Sequence, residues 1–378
     1  MSYITEIQRR TWAEIDITRL EHNFNIIKSA LNTSTKLCCV IKANAYGHGA
    51  IQLARLYSRL EADFLAVANI QEALTLRENN VTLPILILGF TPPECAETLC
   101  KYNITQCAYS LPYAQELNSY AEKSNVKIKV HIKIDTGMGR LGFICRPEES
   151  SGLTDIVLAC KLSHLVSEGI FTHFAVADAG AKGKIYTRLQ YQSFIDSINY
   201  LKQNGIEFKL HHCSNSAALF DYPDYQLDMV RAGIALYGLA PSERMANIPQ
   251  LHPAMTLKTV ISHIKELSPG ETIGYGRIFS SQRVTKIATL PIGYADGLPR
   301  SSTGYSVLVN NTPAEIVGKI CMDQMMIDIS GIDCNLGDVV TVFGSHPNHT
   351  ADNIASHNDT INYEVICNIG ERVPRIYI

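Results

Sequence analysis

The chain has 378 residues, 46% apolar and 18% charged, enough to bury one large core and a second smaller one. Its net charge is −3 and no block of like charge occurs, which argues against attraction to nucleic acid or a membrane surface. The opening "MSYITEIQRRTWAEID" has no apolar leader and no apolar run reaches membrane-spanning length, so a cytoplasmic protein with eleven reduced thiols is expected.

"TWAEIDI" (11–17) alternates like a strand and can pair with segments far along the chain. Eight short apolar runs follow, at 37–43, 64–69, 84–90, 104–110, 126–135, 169–174, 208–215 and 229–238. Amphipathic stretches such as "NIQEALTLRENN" and "YTRLQYQSFIDSINYLKQNG" lie between them. Alternating strand and helix signals mean βαβ units with parallel pairing. A count of eight predicts an α/β fold of the (β/α)8 TIM-barrel type over residues 13–245. Beyond that the character changes. "AMTLKTVISHIKEL", "TKIATLPIGYA", "YSVLVNNTPAEIVGKI", "MMIDIS" and "DVVTVFG" are rich in β-branched residues and separated by Gly, Pro and Asn turns. They predict a second, mostly antiparallel β domain built from residues 1–12 and 246–378.

In such a barrel the active site lies at the C-terminal ends of the strands. Lys42 ends the first run and is followed by "ANAYGHG". Lys133 and Asp135 end the fifth, followed by "TGMGRLG" with Arg140; His173 ends the sixth; Asn215 and Ser216 end the seventh; Arg231, Gly233 and Ile234 belong to the eighth. An unpaired ammonium buried at a strand end is costly, whereas a covalently engaged lysine is neutral or shares its charge. Barrel loops after strands seven and eight often hold phosphate. A lysine beside a phosphate site is what pyridoxal phosphate needs. The residues alone leave other readings open: a snorkelling Lys42, a satisfied core histidine at 173, a Lys133 paired with Asp135 or another acid, and a Tyr275 that serves a turn or an interface. His48, His211 and His212 read as structural. No metal is expected, since no His/Cys/Asp/Glu cluster has ligand spacing, and no Walker or Rossmann glycine pattern sits in its proper context.

Taken together, "WAEID" (12–16), "IKANAYGHG" (41–49), "KIDTGMGRLG" (133–142), "THFAVAD" (172–178), "SNSAA" (214–218), "VRAGIALYG" (230–238), "IGYGR" (273–277), "PIGYADG" (291–297), "GKICMDQMMID" (318–328) and "RVPR" (372–375) resemble the alanine racemase family over nearly the whole chain. The resemblance implies a pyridoxal phosphate enzyme that interconverts L- and D-alanine and supplies D-alanine for peptidoglycan. It implies that Lys42 carries the cofactor and acts as one proton-transfer base, while Tyr275 acts from the opposite face. The family donates that tyrosine from the partner subunit of a homodimer. Arg231 would face the pyridine nitrogen, with His173 bonded to it. Tyr46, Asn215, Ser216, Gly233 and Ile234 would complete the cofactor site. Arg140 and the Met322 backbone would hold the substrate carboxylate, and Lys133 matches a lysine often found carbamylated. Tyr294 and Tyr363 would line the entrance, and Asp323 would help place the partner's loop. One departure is Glu371, where some relatives have a tyrosine supporting the catalytic one. Rival readings are a racemase preferring serine or several amino acids, a decarboxylase on the same barrel, and a non-catalytic protein of pyridoxal phosphate homeostasis. The intact β module and Tyr275 argue against the last.

Overall fold

The structure is a computed structural model and describes residues 10–378; the rest of the expected 1–12 segment, residues 1–9, lies outside them. All eight apolar runs become parallel strands: Lys36–Val40, Phe64–Val67, Ile85–Ile87, Ile104–Ala108, Ile128–Asp135, Leu165–Phe171, Leu210–His212 and Met229–Ala232. They pair in sequence order, and the eighth returns to pair with the first, Arg231 opposite Cys38. Between the seventh and eighth, backbone bonds from Asp228 to the His211 carbonyl and from Arg231 to the Ser214 carbonyl, both 3.1 Å, bridge the seam. The strands are almost continuously buried, as expected of parallel strands covered on both faces.

The helices start where their side chains can satisfy free backbone donors. Asp16 caps Ile17–Ser29 by accepting from Arg19 N, Asn69 caps Ile70–Glu78 through Glu72 N, and Ser110 caps Leu111–Lys123 through Tyr113 N. The longest, Lys184–Gln203, buries Thr187, Gln190, Phe194, Ser197 and Leu201 on one face.

The second domain is a nine-stranded sheet. Within it, strand Met255–Val260 pairs antiparallel with Thr11–Ile15 and with Val339–Phe343. Thr11–Ile15 straddles the expected boundary at residue 13 yet pairs wholly within this sheet. Ile15 lies opposite Met255 on one side, and Ala13 opposite Arg375 in a parallel pairing on the other. Two short helices, Ala351–His357 and Asn362–Cys367, interrupt the β pattern and were absent from the sequence reading. The second packs against the loop after the first barrel strand. Among the described residues no helix is long and apolar enough to cross a membrane.

Candidate active site

Lys42 stands where the first barrel strand ends, and the chain behind it turns the wrong way. Ala43, Asn44, Ala45 and Tyr46 all have φ between 51° and 54°, a left-handed turn made without glycine. Such a conformation costs about 1–2 kcal/mol per residue, so neighbours must hold it. Glu72 does so from below: one carboxylate oxygen accepts from Ala43 N and the other from Ala68 N, both at 2.7 Å. The chain's C-terminal strand does so from above. Arg375 Nε donates to the Gly47 carbonyl at 2.8 Å and Tyr377 Oη to the His48 carbonyl at 3.1 Å. Gly47 has no alternative, because a Cβ there would lie 2.1 Å from the Ile366 carbonyl oxygen. Burial and, after it, the Arg140 charge push the Lys42 ammonium below its ordinary range.

The barrel floor is cationic. Arg231 Nη2 donates to the carbonyls of Thr172 at 2.7 Å and Cys213 at 3.0 Å and approaches His173 Nδ1 at 3.4 Å; its Nη1 donates to His212 Nδ1 at 2.7 Å. Phe171 lies under both this guanidinium and the Lys133 ammonium, at 5.3 and 5.1 Å. Burial, then the Arg231 charge, push Lys133 down to about 7. Lys133 does not pair with Asp135: its Nζ donates to the Ile134 carbonyl at 3.2 Å, while Asp135 accepts from Gly137 N, Gly139 N and Arg146. Those bonds outweigh the opposing effect of burial and hold the Asp135 carboxyl below the usual range. They also fix the loop that carries Arg140. Among the described residues no carboxylate forms an ion pair with Lys42, Lys133 or Arg231.

On the opposite wall Ser216 Oγ accepts from Gly233 N at 2.8 Å and from Ala235 N at 3.5 Å, tying the loop after the eighth strand to that after the seventh. Asn215 caps the helix Ser216–Asp221. Tyr46, tilted on Tyr237 at 4.7 Å, brings its hydroxyl so near Gly233 that a Cβ there would lie 2.8 Å from it. Lys42, Tyr46, Lys133, Arg140, His173, Asn215, Ser216, Arg231, Gly233 and Ile234, each a candidate from sequence, line one cavity of about 820 Å³, together with Tyr363.

Tyr275 and Met322 do not reach it. They line a second cavity of about 710 Å³ on the β domain and are 68% and 53% exposed. Both are nonetheless held in place. Tyr275 sits between Gly274 and Gly276, both at positive φ, on the turn of a two-stranded ribbon. The Met322 carbonyl accepts from Ala295 N at 3.0 Å. Asp296, fully buried, accepts from Arg10 and Arg372, and Arg372 Nη2 continues to Asp323 at 2.8 Å.

Sequence reasoning read His212 as structural and did not single out His131. The signal for His131 was period two: it stands two residues before Lys133 on the fifth strand, so both point to the same side, the barrel interior. Cys367, also missed, lines the cavity from the β domain.

A closed βα barrel whose mouth joins an unpaired, partly desolvated lysine to a hydroxyl-and-glycine cradle across a carboxylate-free arginine defines a barrel enzyme of the pyridoxal phosphate class. Family models agree in detail: "Alanine racemase, N-terminal domain" matches residues 15–241 and "Alanine racemase, C-terminal domain" residues 254–377. The chain is 43% identical over 377 residues to the alanine racemase of Desulfovibrio desulfuricans, covering 99% of this chain and 100% of that one. It is 44% identical over 376 residues to that of Clostridium tetani, covering 98% and 96%. Among solved structures it resembles the alanine racemase of Clostridium difficile 630 in complex with cycloserine (44% identity, TM-score 0.91, 98% and 96% covered). It also resembles that of Bacillus anthracis with bound L-Ala-P (35% identity, TM-score 0.93, 98% and 96% covered). The chain belongs to the alanine racemase family.

Proposed function

We propose that this chain racemises alanine with two bases, Lys42 of one subunit and Tyr275 of the partner subunit, in a homodimer that supplies D-alanine for peptidoglycan. The observation that carries the reading is the joining of Lys42, Arg231 and the Tyr46–Ser216–Gly233 cradle in one cavity. That cavity fits pyridoxal phosphate. Among the described residues no carboxylate is paired with Lys42 or Arg231, and Gly233 leaves room under the Tyr46 hydroxyl that any side chain would fill. Tyr46, Ser216, Gly233 and Ile234 would hold its phosphate, Lys42 its carbonyl carbon and Arg231 its ring nitrogen. Bound there, the cofactor withdraws electrons from the substrate's Cα and acidifies its C–H bond.

The chain's residues supply the rest. Lys42, with its amine made easier to deprotonate, removes or returns the Cα proton on one face. Tyr275, exposed on the β domain and outside the barrel cavity of its own chain, serves the opposite face across a twofold axis. Arg231 keeps its proton rather than yielding it to the ring nitrogen, which limits electron withdrawal and favours return of the proton to Cα. Arg140 and the backbone of the partner subunit's Met322, which lies beside Tyr275 on the β domain, hold the substrate carboxylate.

Lys133 is buried without an acid partner, and burial and the Arg231 charge make its amine lose its proton more readily than a free lysine does. That amine can add to CO₂, forming an N–C bond and releasing a proton, and the resulting carbamate would be the missing anion beside Arg140. Carbon-13 bicarbonate should give a carbamate resonance that Lys133→Ala lacks; an identical spectrum from that variant rules it out. Chiral chromatography of L-alanine and L-serine reactions tests the main reading: alanine should racemise faster, and turnover of neither would refute it.

A further inference from the structure

Beneath Arg231 the barrel floor holds hydrogen bonds whose direction is dictated from one end. A guanidinium has donors only. Arg231 Nη1 lies 2.7 Å from His212 Nδ1, so that nitrogen carries a lone pair. A neutral His212 then has its proton on Nε2, which lies 2.9 Å from His131 Nδ1. His131 Nδ1 must accept, leaving its own proton on Nε2. That nitrogen is fully buried and has no partner among the described residues. A second proton on either ring would set donor against donor, and burial with the Arg231 charge opposes it in both, lowering His131 to about 3.

The rings are held in these orientations. Phe171 stacks on His212 at 4.8 Å with 4° between the planes. A Cβ on Gly169 would lie 2.8–2.9 Å from three atoms of the His131 ring, so the ring fills the space that glycine leaves. The bonds from Arg231 to Thr172, Cys213 and His173 all leave from Nη2, whereas Nη1 has His212 as its partner. The bond that holds Nη1 therefore depends on the tautomer of His212.

We propose that His131 is a positioning residue for Arg231: by accepting from His212 Nε2 it stabilises the one tautomer in which His212 can accept from the arginine. Without that acceptor, His212 Nε2–H loses its partner, and the Nδ1–H form, which opposes Arg231 donor to donor, becomes accessible. Arg231 then keeps its Nη2 contacts but loses the bond that holds Nη1, and its guanidinium is held less firmly toward the cavity. The consequence for reaction outcome rests on the racemase reading; the tautomers do not.

The test uses full-length enzyme, loaded with pyridoxal phosphate and labelled with nitrogen-15 histidine. The His131 and His212 signals are identified by substitution of each. In the wild type both rings should be protonated on Nε2. In His131→Leu the His212 signal should move toward a mixture of tautomers, and pyruvate formed per racemisation should rise several-fold. His131→Asn, which can place an amide oxygen where Nδ1 stood, should restore both. A wild-type His212 protonated on Nδ1 overturns the proposal. So does a His131→Leu protein with unchanged tautomer and product partition, or a His131→Asn protein whose His212 is mixed. Should the leucine variant fail to fold, the wild-type spectrum and the asparagine variant still decide. If no racemisation occurs at all, the racemase reading fails while the spectra still report on the tautomers.

Discussion

Burial and the Arg140 guanidinium both favour the neutral amine of Lys42, and the two contributions can be separated. Removing the positive charge in Arg140→Gln leaves burial as the one remaining effect that lowers the Lys42 pKa, so that pKa rises. The neutral amine then appears at higher pH, and the acid limb of the racemisation profile at saturating alanine should move upward. A downward move would contradict the assignment. Arg231 can be tested by product. Arg231→Glu would let the ring nitrogen hold a proton, so racemisation should fall while pyruvate per turnover rises; an unchanged partition would remove Arg231 from that role. The positions of Lys42, Arg231, Lys133 and His173 were legible in sequence because barrel topology puts strand ends at one mouth. His212 was not, since one histidine in "KLHHC" looks like any core histidine until the arginine that it accepts from is placed.

Elements were legible to different degrees, for physical reasons. The eight barrel strands showed as unbroken apolar runs because both faces are buried, and the helices between them showed as amphipathic stretches. The left-handed turn over Ala43–Tyr46 left no mark, because its sequence has no glycine and the conformation is imposed by Glu72, Arg375 and Tyr377. This strain makes an unusual prediction. Ala43 is exposed at φ 52°, where glycine suffers no Cβ clash. Ala43→Gly should therefore raise unfolding free energy by up to about 1 kcal/mol, after the entropy that glycine loses on folding. Denaturant melts of both proteins measure it, and a loss of 1 kcal/mol would mean that Ala43 is not strained. The helices Ala351–His357 and Asn362–Cys367 were hidden by their brevity among strands. Thr350 and Asn353, each accepting from the other's backbone, were the available start signal.

The whole molecule poses the question that a single chain leaves open: Lys42 faces one cavity and Tyr275 another. Two-base chemistry at one Cα needs both, so each site must draw on two chains if the proposed mechanism holds. Sequence could reach this only by resemblance, because nothing in the residue pattern tells whether Tyr275 turns toward its own barrel or away. The decisive measurement mixes a Lys42→Ala protein with a Tyr275→Phe protein under conditions that allow subunit exchange. Each homodimer lacks one base at both sites. A mixed dimer has one site lacking both and one site intact. Random reassociation of equal amounts makes about half the dimers mixed, so about a quarter of all sites should regain alanine racemisation. No recovery despite demonstrated exchange would show that Lys42 and Tyr275 do not meet across subunits.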